Sequence, residues 1–280
     1  MEIGVFSRTY LTGDLQETLR RMTGHGIRHT QLNLSNAGLP TLPKEVSDED
    51  LERIRRLTKA HGVHLDALSG TFNMIDPDEE ARRRGCEQFA VQCRIARELN
   101  IPIVSLCTGS KHPKNKWAWH DDNLKESSWD DLMRSTEVII RHAEDNKVVL
   151  GVEPEVSNII NTPQRARRYL DETGSPYLKI IMDGANLFHP DQVPDMDHVL
   201  KESFELLGKD IALAHAKDFT VEDGLRFVAA GQGVLDYALY MRLLGQYGYQ
   251  GALVMHGLSE EQVPAGKQFL EKVLESQKRI

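Results

Sequence analysis

The chain has 280 residues, a formal net charge of −8 and 40% hydrophobic residues, a size that suits one α/β barrel or two small domains. The acid excess argues against nucleic acid as a partner, because phosphate binding needs a basic face. The longest apolar runs are strand-sized, far short of the roughly 20 residues that span a bilayer, so no membrane partner is expected. Residues 1–6 enter a strand pattern without a basic leader or a cleavage site, so no secretory signal is expected either. Cys86, Cys93 and Cys107 are odd in number and lack metal-type pairing, which reads as free thiols in a reducing cytoplasm. The basic clusters Arg82-Arg83-Arg84 and Arg165/Arg167/Arg168 fall in helical patterns and read as solvated faces.

Strand and helix patterns alternate from end to end. Residues 2–6 read as the first strand and 14–23 as a helix capped by Asp14. Residues 28–34 make the second strand, followed by a helix over 48–60 that Ser47 caps and Gly62 closes. Residues 63–68 are the third strand, and a helix runs from about 78 to 99. The fourth strand, 103–106, leads into a long polar loop over 108–127, then a helix over 129–144. Residues 148–152 form an apolar, β-branched run too short for a helix and too continuous for a half-exposed strand, so it is a strand buried on both faces. Thr162-Pro163 opens the next helix in cap-then-proline order. The remaining strands are 178–182, 211–214 and 251–255; the remaining helices are 196–207, 235–246 and 260–277. Eight such units without a change of composition predict an α/β fold of one domain over residues 1–280, a closed (β/α)8 TIM barrel.

Chemistry in such a barrel sits at the C-terminal ends of the strands. Four strands here finish in groups that make little sense for stability alone: Glu153 and Glu155 after the fifth, Asp183 after the sixth, His215 after the seventh and His256 after the eighth. One of these residues taken singly reads as a turn cap or a satisfied core histidine. Taken together, Glu153, Asp183, His215 and His256 predict a site for one divalent ion. Mixed carboxylate and imidazole ligands suit Mn²⁺ first, with Mg²⁺, Co²⁺ or Zn²⁺ as alternatives. Glu155 lies on the same face as Glu153 by the period of two and is a candidate base; its other reading is a ligand-orienting or hydroxyl-binding group. His256, if off the metal, is a proton shuttle near neutral pH. Asn73, Thr108, Asn186 and Lys217 also fall at strand ends, where substrate is expected. Trp117, Trp119, His120 and Asn123 lie in the loop after the fourth strand, expected to close over a sugar with an indole on its apolar face. The competing reading is that the tryptophans pin the loop or bury a subunit contact.

The chain resembles the xylose-isomerase-like, or sugar phosphate isomerase/epimerase, superfamily of TIM barrels. The likeness covers nearly the whole chain through Gly70-Thr71-Phe72-Asn73, Gly151-Val152-Glu153-Pro154, Met182-Asp183-Gly184-Ala185-Asn186, His215-Ala216-Lys217-Asp218 and Gly231-Gln232-Gly233-Val234-Leu235-Asp236. By that resemblance Glu153, Asp183 and His215 match metal ligands, and Asn186 and Lys217 match substrate-contacting positions. Pairing between copies through the loops of the catalytic end, a homo-oligomer, is implied in the same way. The chain departs from the ketose 3-epimerases of the superfamily, which place a glutamate at the end of the eighth strand. His256 stands there, so a mechanism with two opposed metal-bound glutamate bases does not carry over.

A metal chelated by a carbonyl and a neighbouring hydroxyl of a sugar stabilises an enediolate. The expected function is therefore a divalent-metal-dependent isomerase or epimerase on a sugar or keto-sugar. The alternative is a lyase, a dehydratase or decarboxylase acting from the same intermediate on a keto-sugar or sugar acid. A non-catalytic sugar-binding module is the third reading. A repair nuclease on the same barrel would need more ligands and a basic groove.

Overall fold

In the computed structural model, which describes residues 1–222 and 224–277, eight parallel strands close into a barrel. They are β1 (Ile3–Phe6), β2 (His29–Leu32), β3 (His64–Ser69), β4 (Ile103–Leu106), β5 (Val149–Val152), β6 (Leu178–Asp183), β7 (Ile211–Ala216) and, after a hairpin of β8 (Asp218–Thr220) and β9 (Arg226–Val228), β10 (Leu253–Met255). The helices between them are α1 (Leu15–Gly24), α2 (Asp48–His61), α3 (Glu79–Glu98), α4 (Glu126–Asn146), α5 (Pro163–Thr173), α6 (Met196–Leu207), α7 (Tyr237–Gln246) and α8 (Val263–Gln277). The predicted barrel is the observed one, with element ends shifted by a few residues. Helix α7 starts two residues later than predicted because the Asp236 carboxylate accepts from Leu239 N–H and makes Asp236 the cap. The last helix is preceded by a separate 3₁₀ turn, Glu260–Gln262, closed by a Ser259/Gln262 capping box.

The period of two along each strand sets the site above the core. Ala67, Ile103, Ile181, Leu213, Ala252 and Val254 form a cluster of their own inside the barrel, apart from the larger core between barrel and helices. One strand period beyond three of these, on the same face, stand Asp183 after Ile181, His215 after Leu213 and His256 after Val254. Gly151 belongs to the same inward row. A Cβ there would come within 2.6 Å of Ile181 Cγ1 and 3.2 Å of Ile103 Cγ2, so only glycine lets β5 lie this close to its neighbours. Glu153 follows it by two residues. Pairing of Asp183 with His215, and of Val254 with His215, aligns the strand mouths.

The hairpin β8–β9 was not legible in the strand pattern. It leaves the barrel directly after Lys217, and Asp218 organises it. Its carboxylate accepts from the backbone N–H groups of Phe219, Gly231, Gly233 and Leu235, at 2.9–3.1 Å. A Cβ on Gly233 would meet Phe219 O at 2.2 Å and Asp218 Oδ1 at 2.3 Å. The Gly231-Gln232-Gly233 turn is thus a cradle around a buried carboxylate, which explains why it follows a His-Ala-Lys-Asp segment.

Candidate metal centre and active site

A cavity of about 740 Å³ opens at the C-terminal mouth of the barrel, within the range of small-molecule sites. Glu153, Asp183 and His215 meet at its floor, with one ligand atom from each lying within 4.8 Å of the others. Asp183 and His215 are buried, 1% and 2% exposed. His215 Nδ1 lies 3.4 Å from Glu153 Oε1 without a hydrogen-bond partner among the described residues. Asp183 Oδ2 is paired with Lys217 Nζ at 3.1 Å. Buried polar atoms are rarely left unpaired, and His215 Nδ1 is one, facing the Glu153 carboxylate. The donor set and the unpartnered His215 Nδ1 fit a divalent cation.

The tautomer of His215 is set from across the barrel. Its Nε2 lies 2.9 Å from Gln31 Oε1, and an amide oxygen only accepts, so Nε2 carries the proton. Nδ1 is left with its lone pair free for a ligand role. Gln31 is oriented in turn by its own amide N–H groups, which reach Ser69 Oγ at 3.2 Å and Ser105 Oγ at 3.4 Å. This second layer, which fixes a ligand's ring and proton, is typical of metal sites. Sequence reasoning missed Gln31, because β2 reads His-Thr-Gln-Leu and one more polar residue in it gives no local signal.

His256 stacks on His215, ring centroids 5.2 Å apart and planes within 3°. Its Nδ1 is likewise buried without a partner among the described residues. Burial, then the charge of Lys217, push its pKa down to about 3, so it is a neutral imidazole at working pH.

Charge in the pocket is arranged as a chain. Asn186 Nδ2 donates to Glu153 Oε1 at 2.7 Å, and Lys217 Nζ donates to Asn186 Oδ1 at 2.7 Å. Burial works against the charge on Glu153, but His215 and Lys217 outweigh it and hold the carboxylate well below its usual range. Asp183 is pushed up by burial and by the charge of Glu153. Burial opposes the Lys217 ammonium, yet Asp183 and Glu153 keep its pKa above the ordinary lysine value. The Lys217 ammonium sits 4.1 Å from the centroid of the Phe227 ring, on the hairpin. Glu155 lines the same cavity; its Oε2 accepts from Asn158 Nδ2 at 2.8 Å. Burial first, then Glu153, raise it to about 7.

The structure therefore brings Glu153, Glu155, Asn186, Lys217, His215 and His256 to one cavity, with Asp183 just beneath. Four other expected contacts fall outside its lining. The Asn73 amide donates to Ser110 O at 2.8 Å and accepts from Ser110 N–H at 3.1 Å, holding one loop to another. Thr108 is buried, 1% exposed, while its neighbour Cys107 lines the cavity. The His120 ring accepts from Asp122 N–H and starts a 3₁₀ turn. Trp119 donates its indole N–H to Asp121 at 3.0 Å on the outside of the loop. Trp117 is the indole that faces the cavity. Placement within this loop follows from its turns, which carry no period to read.

A family model described as a xylose isomerase-like TIM barrel matches residues 15–273. The chain belongs to that family. Among characterised proteins it is similar to a D-psicose 3-epimerase of Enterocloster bolteae, 27% identical over 216 residues that cover 74% of this chain and 66% of the relative, just under two thirds of its length. Among solved structures, a 3-keto-D-glucoside 4-epimerase from E. coli shares the fold with a TM-score of 0.71, 19% identity and full coverage of both chains. An IOLI protein with a bound zinc atom matches with a TM-score of 0.69 and 18% identity, over 99% of this chain and 97% of the other. At these identities the two structures establish the shared barrel.

Proposed function

We propose that this member of the xylose isomerase-like family is a divalent-metal-dependent isomerase or epimerase of a keto-sugar, acting through an enediolate. The observation that carries the reading is the convergence of Glu153, Asp183 and His215 within 4.8 Å, with His215 Nδ1 buried and without a hydrogen-bond partner among the described residues, at the floor of a cavity of sugar size. The activities of the psicose and keto-glucoside epimerases and the zinc of the third relative point the same way. Glu153, Asp183 and His215 would hold the ion; His256, the expected fourth ligand, lies outside that group with its ring parallel to His215, so the two in-plane lone pairs do not converge on one ion. Mn²⁺ is the first choice, ahead of Mg²⁺, Co²⁺ and Zn²⁺. Such an ion supplies Lewis-acid polarisation of a carbonyl and an adjoining hydroxyl.

The chain's own side chains account for the rest. Glu155, with a pKa near 7, takes a proton from the carbon beside the carbonyl and returns it. Lys217 and Asn186, linked to each other and to the carboxylates, bind substrate hydroxyls. Trp117 and Phe227 offer ring faces at the mouth. The proposal extends to a cytoplasmic protein with a carbohydrate substrate, no nucleic-acid partner and self-association through the mouth of the barrel. Among the described residues no helix is long and apolar enough to cross a membrane. One feature favours the lyase outcome as a second reading: the eighth barrel strand ends in neutral His256, which leaves Glu155 as the single free carboxylate on the reacting side.

Incubating the Mn²⁺-loaded protein with keto-sugars, sugar acids and inosose-like polyols in deuterated water tests both readings. Solvent deuterium at a carbon next to the carbonyl, lost in Glu155→Gln, is expected. Isotope in the recovered sugar marks isomerisation or epimerisation; loss of water or CO₂ marks the lyase. A loaded protein that binds a sugar and exchanges no proton would refute catalysis and leave the binding module.

A further inference from the structure

We infer that the natural substrate is anionic: it carries a carboxylate or phosphate at the end remote from its reacting carbonyl, held by Arg8, Asn33 and Lys116. The inference rests on the proposed function and names the substrate class of that same cavity. Its basis is an uneven distribution of donors and acceptors around the mouth. Glu153, Glu155 and Asp183 belong to the sector of β5 and β6. The sector of β1 to β3 contributes Arg8 and Asn33 and no carboxylate to the cavity lining among the described residues.

Arg8 follows β1 and lines the cavity. Its guanidinium makes no hydrogen bond or ion pair among the described residues. The turn that carries it is fixed, since Ser7 Oγ donates to Asn36 Oδ1 at 2.9 Å and accepts from Asn33 N–H at 2.8 Å. Asn33 follows β2 and is buried. Its Oδ1 accepts from Ser35 N–H at 3.0 Å and from Thr41 Oγ1 at 2.9 Å, which leaves the amide N–H₂ as the group it offers to the cavity. Lys116 reaches the same sector from the loop after β4. Its Nζ donates to Thr71 O at 3.0 Å and lies 5.5 Å from the centroid of the Trp117 ring, with no carboxylate in ion-pair range among the described residues.

Arg8 and Lys116 are the cations of the cavity lining that no carboxylate among the described residues pairs. The chain's net charge is −8, and even exposed arginines such as Arg20, Arg83 and Arg168 are paired to carboxylates. The one other cation that lines the cavity floor, Lys217, is already matched by Asp183 at 3.1 Å. A neutral ketose would leave Arg8 and Lys116 with no charge to meet. An anion offers a guanidinium two acceptors in its own plane and an ammonium a point charge. With the carbonyl end at Glu153, Asp183 and Glu155, the polyol chain would cross the cavity to the cationic sector. Carboxylate and phosphate share this chemistry.

The test measures affinity of the Mn²⁺-loaded full chain by titration calorimetry for D-fructose, D-fructuronate and D-fructose 6-phosphate, and for the matching neutral and anionic pentuloses. At least one anionic member should bind tenfold or more tightly than its neutral partner; whether the uronate or the phosphate wins identifies the source of the charge. The ratio should shrink with added salt and fall toward one in Arg8→Met and in Lys116→Met, each checked for Mn²⁺ content and melting temperature. Equal or weaker binding of both anionic members overturns the inference while leaving the proposed function standing. So does a preference that survives both substitutions. Binding of no sugar of either class overturns the proposed function, and this inference with it.

Discussion

In a Gln31→Leu variant, His215 keeps its place in β7 but loses the amide oxygen 2.9 Å from Nε2. The side chains have similar length, so the change removes three polar contacts, to His215, Ser69 and Ser105, without opening a large cavity. Two effects follow. The imidazole N–H is left buried and unpaired, at a cost of about 1–3 kcal/mol in the metal-free fold. The proton is also no longer held on Nε2, and every molecule that moves it to Nδ1 presents an N–H where the ion needs a lone pair. Loss of a ligand-orienting partner lowers metal affinity about 10- to 100-fold, or about 1.4–2.7 kcal/mol. Calorimetric titration of Mn²⁺ into the chelator-stripped protein reads this directly. Gln31→Glu, which keeps an acceptor at the same length, should bind at least as tightly as the parent. An affinity within threefold of the parent for Gln31→Leu, in a background where His215→Ala abolishes binding, would refute the tautomer argument.

Further outcomes are expected from the same geometry. Elemental analysis should find about one divalent ion per chain, and Mn²⁺ at a hundred times its Kd should stabilise the fold by about 2.7 kcal/mol. Glu153→Ala and Asp183→Ala should lose both ion and activity with far-UV circular dichroism unchanged, because these side chains finish strands instead of filling the core. Glu155 acts as a base only when ionised, so kcat/KM should rise with pH and level off above about 7, and Glu155→Gln should remove that limb. Linkage has a definite sign: a carboxyl raised by burial stabilises the fold at low pH, and that contribution is lost as pH climbs through about 7. The metal-free parent should therefore lose melting temperature across that window and Glu155→Gln should not. Asp218→Ala strands four backbone N–H groups and should cost about 3 kcal/mol by urea denaturation; an effect below about 1 kcal/mol would mean that the Gly231–Gly233 turn is held by something else.

The sequence by itself determined the barrel and most of its floor. Strand identity, strand order and the inward face are local properties, written in apolar runs and a period of two, so Glu153, Asp183, His215 and His256 were legible as strand-end groups on one face. Gly151 could be read as a motif residue, but the crowding by Ile103 and Ile181 that requires glycine there could not. Tertiary structure decided whatever joins distant strands or irregular loops. Gln31 and His215 are 184 residues apart, and no local pattern marks a contact that exists only because the sheet closes on itself. The long loop after β4 has no repeating geometry, so its own turns chose Trp117 over Trp119 for the cavity. The same closure set Arg8 and Asn33, after β1 and β2, across the ring from the carboxylates of β5 and β6, a separation of charge that only a closed ring of strands can create.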